Sequence, residues 1–276
     1  MLDSGLGDGA VHRLVDVLIV NYKTPELTIR AVESVLGESE LGTVIVVDNA
    51  SGDGSADLVE ARFAQTPSVH VIRSPENAGF GAGNNLAARA ASSRYLFLLN
   101  SDAAIEPGCM GKLVAVLEGR PDIGLVAPAV YLLGGALQEG SYGSFPTPAT
   151  IFLRANRRVA DTHTPDWISG VAFMARREEY LRLGGFDEGF FMYHEDVDLC
   201  RRFRDAGLIA YRELGAAVVH MEGGSSPSNR ARLAAYDASQ DRYLAVSGTS
   251  PFGRATVRIA RGLYRGLRVR ANGPSH

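Results

Sequence analysis

Along the first half of the chain, short unbroken apolar runs alternate with segments whose apolar residues recur at helical spacing. The runs are VDVLIV, TVIVVD, VHVI, RYLFLLN and IGLVAP. Between them lie TPELTIRAVESVL, SADLVEARF, GAGNNLAARAA and PGCMGKLVAVLEG. Runs rich in Val, Ile and Leu with no polar alternation suit strands buried on both faces, as parallel strands are beneath covering helices. Thr24 and Pro25 supply a capping residue and a first-turn proline for the first helix. The alternation predicts an open α/β sheet, mostly parallel and flanked by helices.

Between Tyr131 and Pro165 the periodicity fades into a stretch rich in Gly, Pro, Thr and Arg, expected as a partly mobile loop over a site. Regular structure then resumes: VAFMARR as a strand, EEYLRLGG as a short helix, EDVDLCRRFRDAG as a helix closed by Gly207, and AAVVH as a final strand. Residues 229–247 and 252–270 read as two closing helices, with Pro227 and Pro251 as punctuation. No internal repeat is evident. The expected organisation is a flexible lead-in at 1–14, a domain at 15–226 with halves at 15–130 and 131–226, and a helical extension at 227–276.

Composition narrows the class. With 276 residues, 46% of them hydrophobic, the chain can bury a large core. Cys109 and Cys200 are far apart and lack metal-site spacing, so both are expected as buried thiols in a reducing compartment. The Gly-rich, acidic start lacks the basic and apolar segments of a secretory signal. No apolar run approaches the ~20 residues of a membrane span. The formal net charge of −3 hides an asymmetry, because residues 251–276 hold six arginines and no acid. An acidic body with a basic tail argues against nucleic acid as the partner.

Open parallel sheets bind ligands beyond the carboxyl ends of their strands. There the chain places Asn21-Tyr22, Asp48-Asn49-Ala50-Ser51, Asn77-Ala78-Gly79-Phe80 and Asn100-Ser101-Asp102. Turn chemistry explains any one of these clusters; four in register indicate a binding edge. GFGAGN at 79–84 does not meet the dinucleotide fingerprint, since it follows the third strand and has Leu86 where the last glycine belongs. Its expected use is a backbone cradle for phosphate at a helix N-terminus. Glu195, Asp196 and Asp198 crowd the first turn of a helix, where the dipole alone favours acids. Phe190, Phe191, Met192 and Tyr193 precede them as a largely apolar wall, which would raise a carboxylate's proton affinity.

VLIVNYKTPEL, VVDNASGDGS, ENAGFGAGNN, LLNSDAAIEPG, WISGVAFMARR, GGFDEGFFMYHEDVDLCRR and VVHMEGGSS, in that order from Val15 to Ser226, resemble the family 2 glycosyltransferases, in particular their rhamnosyltransferase-like bacterial members. The resemblance implies a GT-A fold and an inverting transfer from a nucleotide-diphospho-sugar donor. It implies dTDP-L-rhamnose first, with UDP- or GDP-sugars as alternatives, and a lipid-linked or cell-envelope glycan as acceptor. It carries the donor side onto Asn21, Tyr22, Asp48, Asn77, Gly79, Asn100, Ser101 and Asp102. The family's metal-binding D-x-D falls on Asn100-Ser101-Asp102, which lacks one carboxylate and leaves Asp102, with His220, to hold a divalent Mg or Mn ion. Asp196 is the implied base. Glu195, Trp167, Ser169 and Gly170 fall on the acceptor side, where the indole either stacks on a sugar or fills core. A non-catalytic sugar-nucleotide binder would have no need of the Glu195-Asp196 pair.

The tail is read from its own residues. Arg254, Arg258, Arg261, Arg265 and Arg268 fall within an arc of about 80° on a helix, with Ile259, Ala260, Leu263 and Leu267 opposite. Residues 252–270 are therefore expected to lie along an anionic membrane face through their arginines, which would put the protein on the cytoplasmic side of the cell membrane.

Overall fold

The computed structural model describes residues 14–152, 163–221 and 229–271. The lead-in before Leu14, the middle of the irregular region and the end of VVHMEGGSS lie outside the described residues. So do the side chains of Leu263, Arg265, Leu267 and Arg268.

The first part follows the expected alternation. It comprises β1 (Val15–Asn21), α1 (Pro25–Val35), β2 (Leu41–Asp48), α2 (Ser55–Arg62), β3 (Val69–Arg73), α3 (Phe80–Ala90), β4 (Tyr95–Leu99), β5 (Ala103–Ile105), α4 (Cys109–Gly119) and β6 (Ile123–Leu132). The second part holds β7 (Tyr142–Gly143), α5 (Pro148–Phe152), β8 (Trp167–Ile168), β9 (Ala172–Arg176), α6 (Arg177–Arg182), α7 (Glu195–Asp205), β10 (Ile209–His220), α8 (Asn229–Val246) and α9 (Pro251–Ala271).

Among the described residues the main sheet has eight strands in the order β3-β2-β1-β4-β9-β6-β10-β5. Strands β1 to β4 are mutually parallel, and β6 pairs in parallel with β10. Strand β9 is inserted antiparallel between β4 and β6, and β5 runs antiparallel along β10. Every residue of β1 and β4 is buried, which accounts for their unbroken apolar runs. Val17 and Ile19 pack with Val32, Leu113 and Met110 from α1 and α4; Leu18, Val47 and Leu98 pack with Ala87, Tyr180, Leu199 and Phe203 from α3, α6 and α7. The sheet is thus the middle of three layers. Both cysteines are buried thiols, as expected.

The irregular region is more ordered than its composition suggests. Strand β6 runs to Leu132 and turns back, with Leu137 bridging Tyr131 and the Gln138 N–H bonded to Val130 O. Strands β7 and β8 then form a two-stranded sheet of their own.

The tail corrects its expectation. Arg258 pairs with Asp241, and Arg261 pairs with both Asp237 and Asp241, so the arginine side of α9 faces α8. Val257 is fully buried beside Tyr243 and Leu244. Phe252 and Ile259, on the opposite side, are 80% and 61% exposed. Complementary acids on α8 thus draw Arg258 and Arg261 towards the protein, and Ile259 is left outward.

At the edge of the sheet away from the strand carboxyl ends, Asp16 is almost wholly buried. Its carboxylate accepts from the Thr43 N–H (2.9 Å) and hydroxyl (2.6 Å), the Ser92 and Ser93 N–H groups (2.7 and 2.8 Å) and the Ser93 hydroxyl (2.8 Å). Gly42 makes room for it, because a Cβ there would come within 2.7 Å of the carboxylate. Burial pushes the Asp16 carboxyl up, but the bonds from Thr43, Ser93 and Ser92 outweigh it and hold the group below its ordinary value. A depressed folded-state value stabilises the fold above the unfolded-state carboxyl range, and that stability is lost as pH falls through the folded-state value. Asp16→Ala should lower unfolding stability at neutral pH by about 1–3 kcal/mol through unpaired N–H groups. In urea melts at pH 7 and pH 3, the gap between wild type and variant should narrow at the lower pH.

Candidate active site

The binding edge expected from the strand ends is assembled by register. Asn21 and Asp48 are direct neighbours where β1 and β2 end in parallel. Because β9 runs the other way, its amino end reaches this same edge and brings Ser169 and Gly170 to it; Val171 O accepts the Asn100 N–H at 2.8 Å. Antiparallel pairing also closes the far side, where Ala103 opposite His220 leaves Asp102 next to the end of β10.

Asn21 is fully buried and its amide is used within the protein. It donates to Asp48 Oδ1 (2.7 Å) and Ser51 Oγ (3.3 Å) and accepts from Thr28 Oγ1 (2.9 Å) and the Thr24 N–H (3.3 Å). Within the protein, Asn21 thus holds Asp48. Ser51 adds its hydroxyl (2.6 Å) and N–H (3.1 Å) to the same carboxylate. Tyr22 is half-buried beside Lys23, whose ammonium lies 5.2 Å from its ring centre.

Gly79 has φ +96°, a conformation that favours glycine, and a Cβ there would run into the Phe191 backbone. Cβ atoms at Gly81 and Gly83 would lie 2.8 Å and 2.9 Å from Phe186 and Val20. The Gly79 N–H donates to Asn77 Oδ1 (3.1 Å), Gly79 O accepts from Asn49 Nδ2 (3.1 Å), and the Phe80 N–H donates to Phe191 O (3.1 Å). Close packing by itself requires these glycines. Asn49, unassigned from sequence, ties the end of β2 to this turn through both Asn77 (2.9 Å) and Gly79.

On the far side, Asp102 Oδ1 lies 2.9 Å from His220 Nε2, and Gln138 Oε1 lies 2.9 Å from His220 Nδ1. Gln138 sits in the irregular stretch, where no local pattern marked it. Asn100 accepts the Ser101 N–H at 3.0 Å, and the Ser101 hydroxyl accepts from Thr24 at 3.4 Å.

At the start of α7, Asp196 accepts the Gly170 N–H (3.0 Å) and the Val197 N–H (2.8 Å). Gly170 has no side chain to spare room for, since a Cβ would lie 3.0 Å from the Phe80 ring. Glu195 is buried, and its Oε2 has no partner among the described residues. Burial, reinforced by the adjacent Asp196, raises the Glu195 carboxyl; burial likewise raises Asp196 against the two backbone bonds. Asp198 is structural, bound to both Arg201 and Arg202 at 2.8 Å. Trp167 donates its indole N–H to Ser144 O (3.0 Å) and packs against Gly143, which supports the core-filling alternative. The Ser169 hydroxyl accepts the Val171 N–H at 3.3 Å.

A nucleotide-type edge beside a pair of raised carboxyls, on a sheet with one antiparallel insertion, is the arrangement of a GT-A transferase. The model of Glycosyl transferase family 2 matches residues 16–198, and the chain belongs to that family. The chain is 28% identical over 231 residues to an N-acetylglucosaminyl-diphospho-decaprenol L-rhamnosyltransferase of Mycobacterium tuberculosis, covering 74% of each protein. It is 24% identical over 212 residues to the rhamnosyltransferase WbbL of Escherichia coli, covering 71% of this chain and 78% of that one. A mannosyltransferase from Pyrobaculum calidifontis, solved with GDP-Man and Mn2+, shares the fold at TM-score 0.63 and 18% identity, over 94% of this chain and 76% of that one. The protein is thus a glycosyltransferase, and the fold expectation stands.

Gly79→Ala tests the close approach at the centre of the site. It should displace Phe191, lowering the melting temperature and nucleotide affinity together. Gly37→Ala, where a Cβ meets nothing, should change neither. A Gly79→Ala protein with wild-type melting and affinity would refute the packing argument.

Proposed function

We propose that the enzyme is an inverting transferase that moves a sugar, with dTDP-L-rhamnose as the first candidate donor, onto a hydroxyl of a lipid-linked or cell-envelope glycan. The observation that carries the chemistry is the placing, on one sheet edge, of the Asp102–His220 pair and the raised Glu195–Asp196 pair. The names of the mycobacterial and E. coli relatives support rhamnose, and the mycobacterial name supports a polyprenyl-linked acceptor. UDP- and GDP-sugars remain the alternative donors, the latter by analogy with the mannosyltransferase.

Asp102 and His220 suit a divalent cation, Mg or Mn, as one carboxylate oxygen and one imidazole nitrogen facing each other. Among the described residues no group of three His, Cys, Asp or Glu forms. The remaining positions would fall to phosphate oxygens and water, as is usual for such ions at substrate phosphates. The bound ion would neutralise charge on the leaving diphosphate.

The chain's own residues do the rest. Asp48, fixed by Asn21 and Ser51, offers its remaining lone pairs to the nucleoside, with Tyr22, Asn77 and Ser101 around it. The Gly170 and Val197 N–H groups orient the Asp196 carboxylate. Burial makes it a stronger base than a solvated aspartate, suited to take the acceptor hydroxyl's proton as that oxygen attacks the anomeric carbon. A single displacement inverts that carbon. Glu195, Ser169 and Gly170 line the acceptor side. A non-catalytic binder is disfavoured, because a pair of buried, mutually repelling carboxyls has no part in holding a nucleotide.

Among the described residues no helix is long and apolar enough to cross a membrane. The exposed Phe252 and Ile259 support surface association at the cytoplasmic face, through the apolar side of α9 rather than its arginines. Sedimentation with anionic and neutral vesicles should then show binding that the double substitution Phe252→Ser, Ile259→Ser abolishes. Equal binding by both proteins would exclude this surface.

Asp196→Asn should cut turnover by roughly 100-fold or more, with nucleoside diphosphate affinity little changed. Asp102→Ala should abolish the stimulation by metal, and His220→Ala should weaken it less. Release of nucleoside diphosphate from a panel of sugar nucleotides measures all three. An inactive Glu195→Gln beside an active Asp196→Asn would move the base to Glu195, and full metal-free activity of Asp102→Ala would refute the metal site.

A further inference from the structure

The loop from Asp187 to His194 links α6 to the carboxyl pair, and its last two residues have an unfavourable backbone. Tyr193 (φ +72°) and His194 (φ +64°) both lie in the left-handed region immediately before Glu195. Non-glycine residues stay there only where surrounding structure holds them. The first half of the loop is held by α3: Asn85 donates to Phe186 O (2.8 Å) and Glu188 (3.0 Å) and accepts the Phe186 N–H (2.9 Å). The same helix reaches further along the loop through the Phe80 N–H, which donates to Phe191 O (3.1 Å), but it makes no contact of this kind with Met192, Tyr193 or His194.

Helix α8, which lies outside the matched family segment, holds both ends of the loop. The Ser239 hydroxyl, buried, donates to Met192 O at 2.6 Å. Arg242 spans the Asp187 carboxylate with bonds of 2.7 and 3.2 Å and sets its guanidinium 5.2 Å from the Phe190 ring centre. Gly189 leaves the space that this guanidinium fills. The His194 ring stacks on Tyr243 at 5.7 Å and tilts against Tyr236 at 4.9 Å. Neither His194 nitrogen has a partner among the described residues, so ring packing, not hydrogen bonding, fixes it. Phe190 and Val197 share a buried cluster with Tyr243, Leu244 and Val257. The Arg258 and Arg261 pairs with Asp237 and Asp241 complete the assembly by fastening α9 to α8.

We propose that α8 is part of the catalytic apparatus, a clamp that sets the position of the Glu195–Asp196 pair, with Ser239 and Arg242 as positioning residues that hold residues 187–194 in their left-handed approach to α7. The kinetic half of its test rests on the glycosyltransfer reading; the structural half does not.

Ser239→Ala removes one hydroxyl, and Arg242→Lys keeps the charge but not the two-pronged contact. In full-length protein, amide hydrogen exchange across 187–198 should accelerate in both variants while exchange in β1 and β4 stays at wild-type rates. Turnover should fall by roughly 10-fold or more, as misplacement of a reacting group does, with dTDP and UDP affinities and melting temperature near wild type. Ser239→Thr, which keeps a hydroxyl, should restore both turnover and slow exchange. Wild-type exchange at 187–198 in both variants overturns the clamp whatever the turnover. Accelerated exchange throughout the protein with a parallel loss of nucleotide affinity also overturns it, since that is general loosening. If the wild-type protein neither transfers nor hydrolyses any sugar nucleotide, the glycosyltransfer reading fails, and the exchange data alone decide on the clamp.

Discussion

The bond from the Phe80 N–H to Phe191 O, made over the bare Cα of Gly79, is the contact on which the two halves of the site depend. Gly79 belongs to the turn that Asn49 and Asn77 tie to the end of β2, whereas Phe191 belongs to the loop that leads into the Glu195–Asp196 pair. A single methyl group at residue 79 would separate them. Protein interiors transmit such a displacement rather than absorb it, because they are packed at near-crystalline density. The proposed donor edge and the proposed base are therefore held in one geometry by main-chain atoms.

Much of this was legible from the chain, for reasons that can be named. The β1, β2 and β4 runs are apolar because both faces are covered, and each ends abruptly in Asn or Asp where the sheet meets solvent. That change of polarity marks the edge without any tertiary knowledge. Strand direction is not encoded in the same way. AFMAR is as apolar as its parallel neighbours, so nothing local announced that β9 runs the other way. Strand β5, with three residues, is too short to leave a pattern. Asp102 and His220 are 118 positions apart, and only the resemblance joined them before register did.

Two positions show what the sequence pattern leaves open. A helical wheel gives α9 a charged side and an apolar side but does not say which one meets the protein. Asp237 and Asp241, whose partners were invisible in sequence, decided it. Likewise Asn21 stands at a strand end with a polar side chain, as a ligand contact would, yet Asp48 and Thr28 consume its amide. Polarity at an edge identifies the neighbourhood of a site, whereas touching the ligand also requires an unspent hydrogen-bonding group. Asp48 retains that capacity because the Asn21 and Ser51 side chains both bond Oδ1, leaving Oδ2 with the Ser51 N–H as its partner among the described residues.

The antiparallel course of β9 also has a consequence for change over time. Strand β6 leaves the sheet at its carboxyl-end edge, and β9 enters it at that same edge, so the stretch between them begins and ends on one side. Among the described residues only the short β7, α5 and β8 lie along that excursion, and loop closure becomes only slowly less favourable as a loop grows. Insertions and deletions there can remodel the proposed acceptor side while leaving Asp48 and its strands untouched, provided that Gln138 keeps its contact with His220. A lineage of such enzymes can thus exchange one acceptor for another by editing a single stretch of chain.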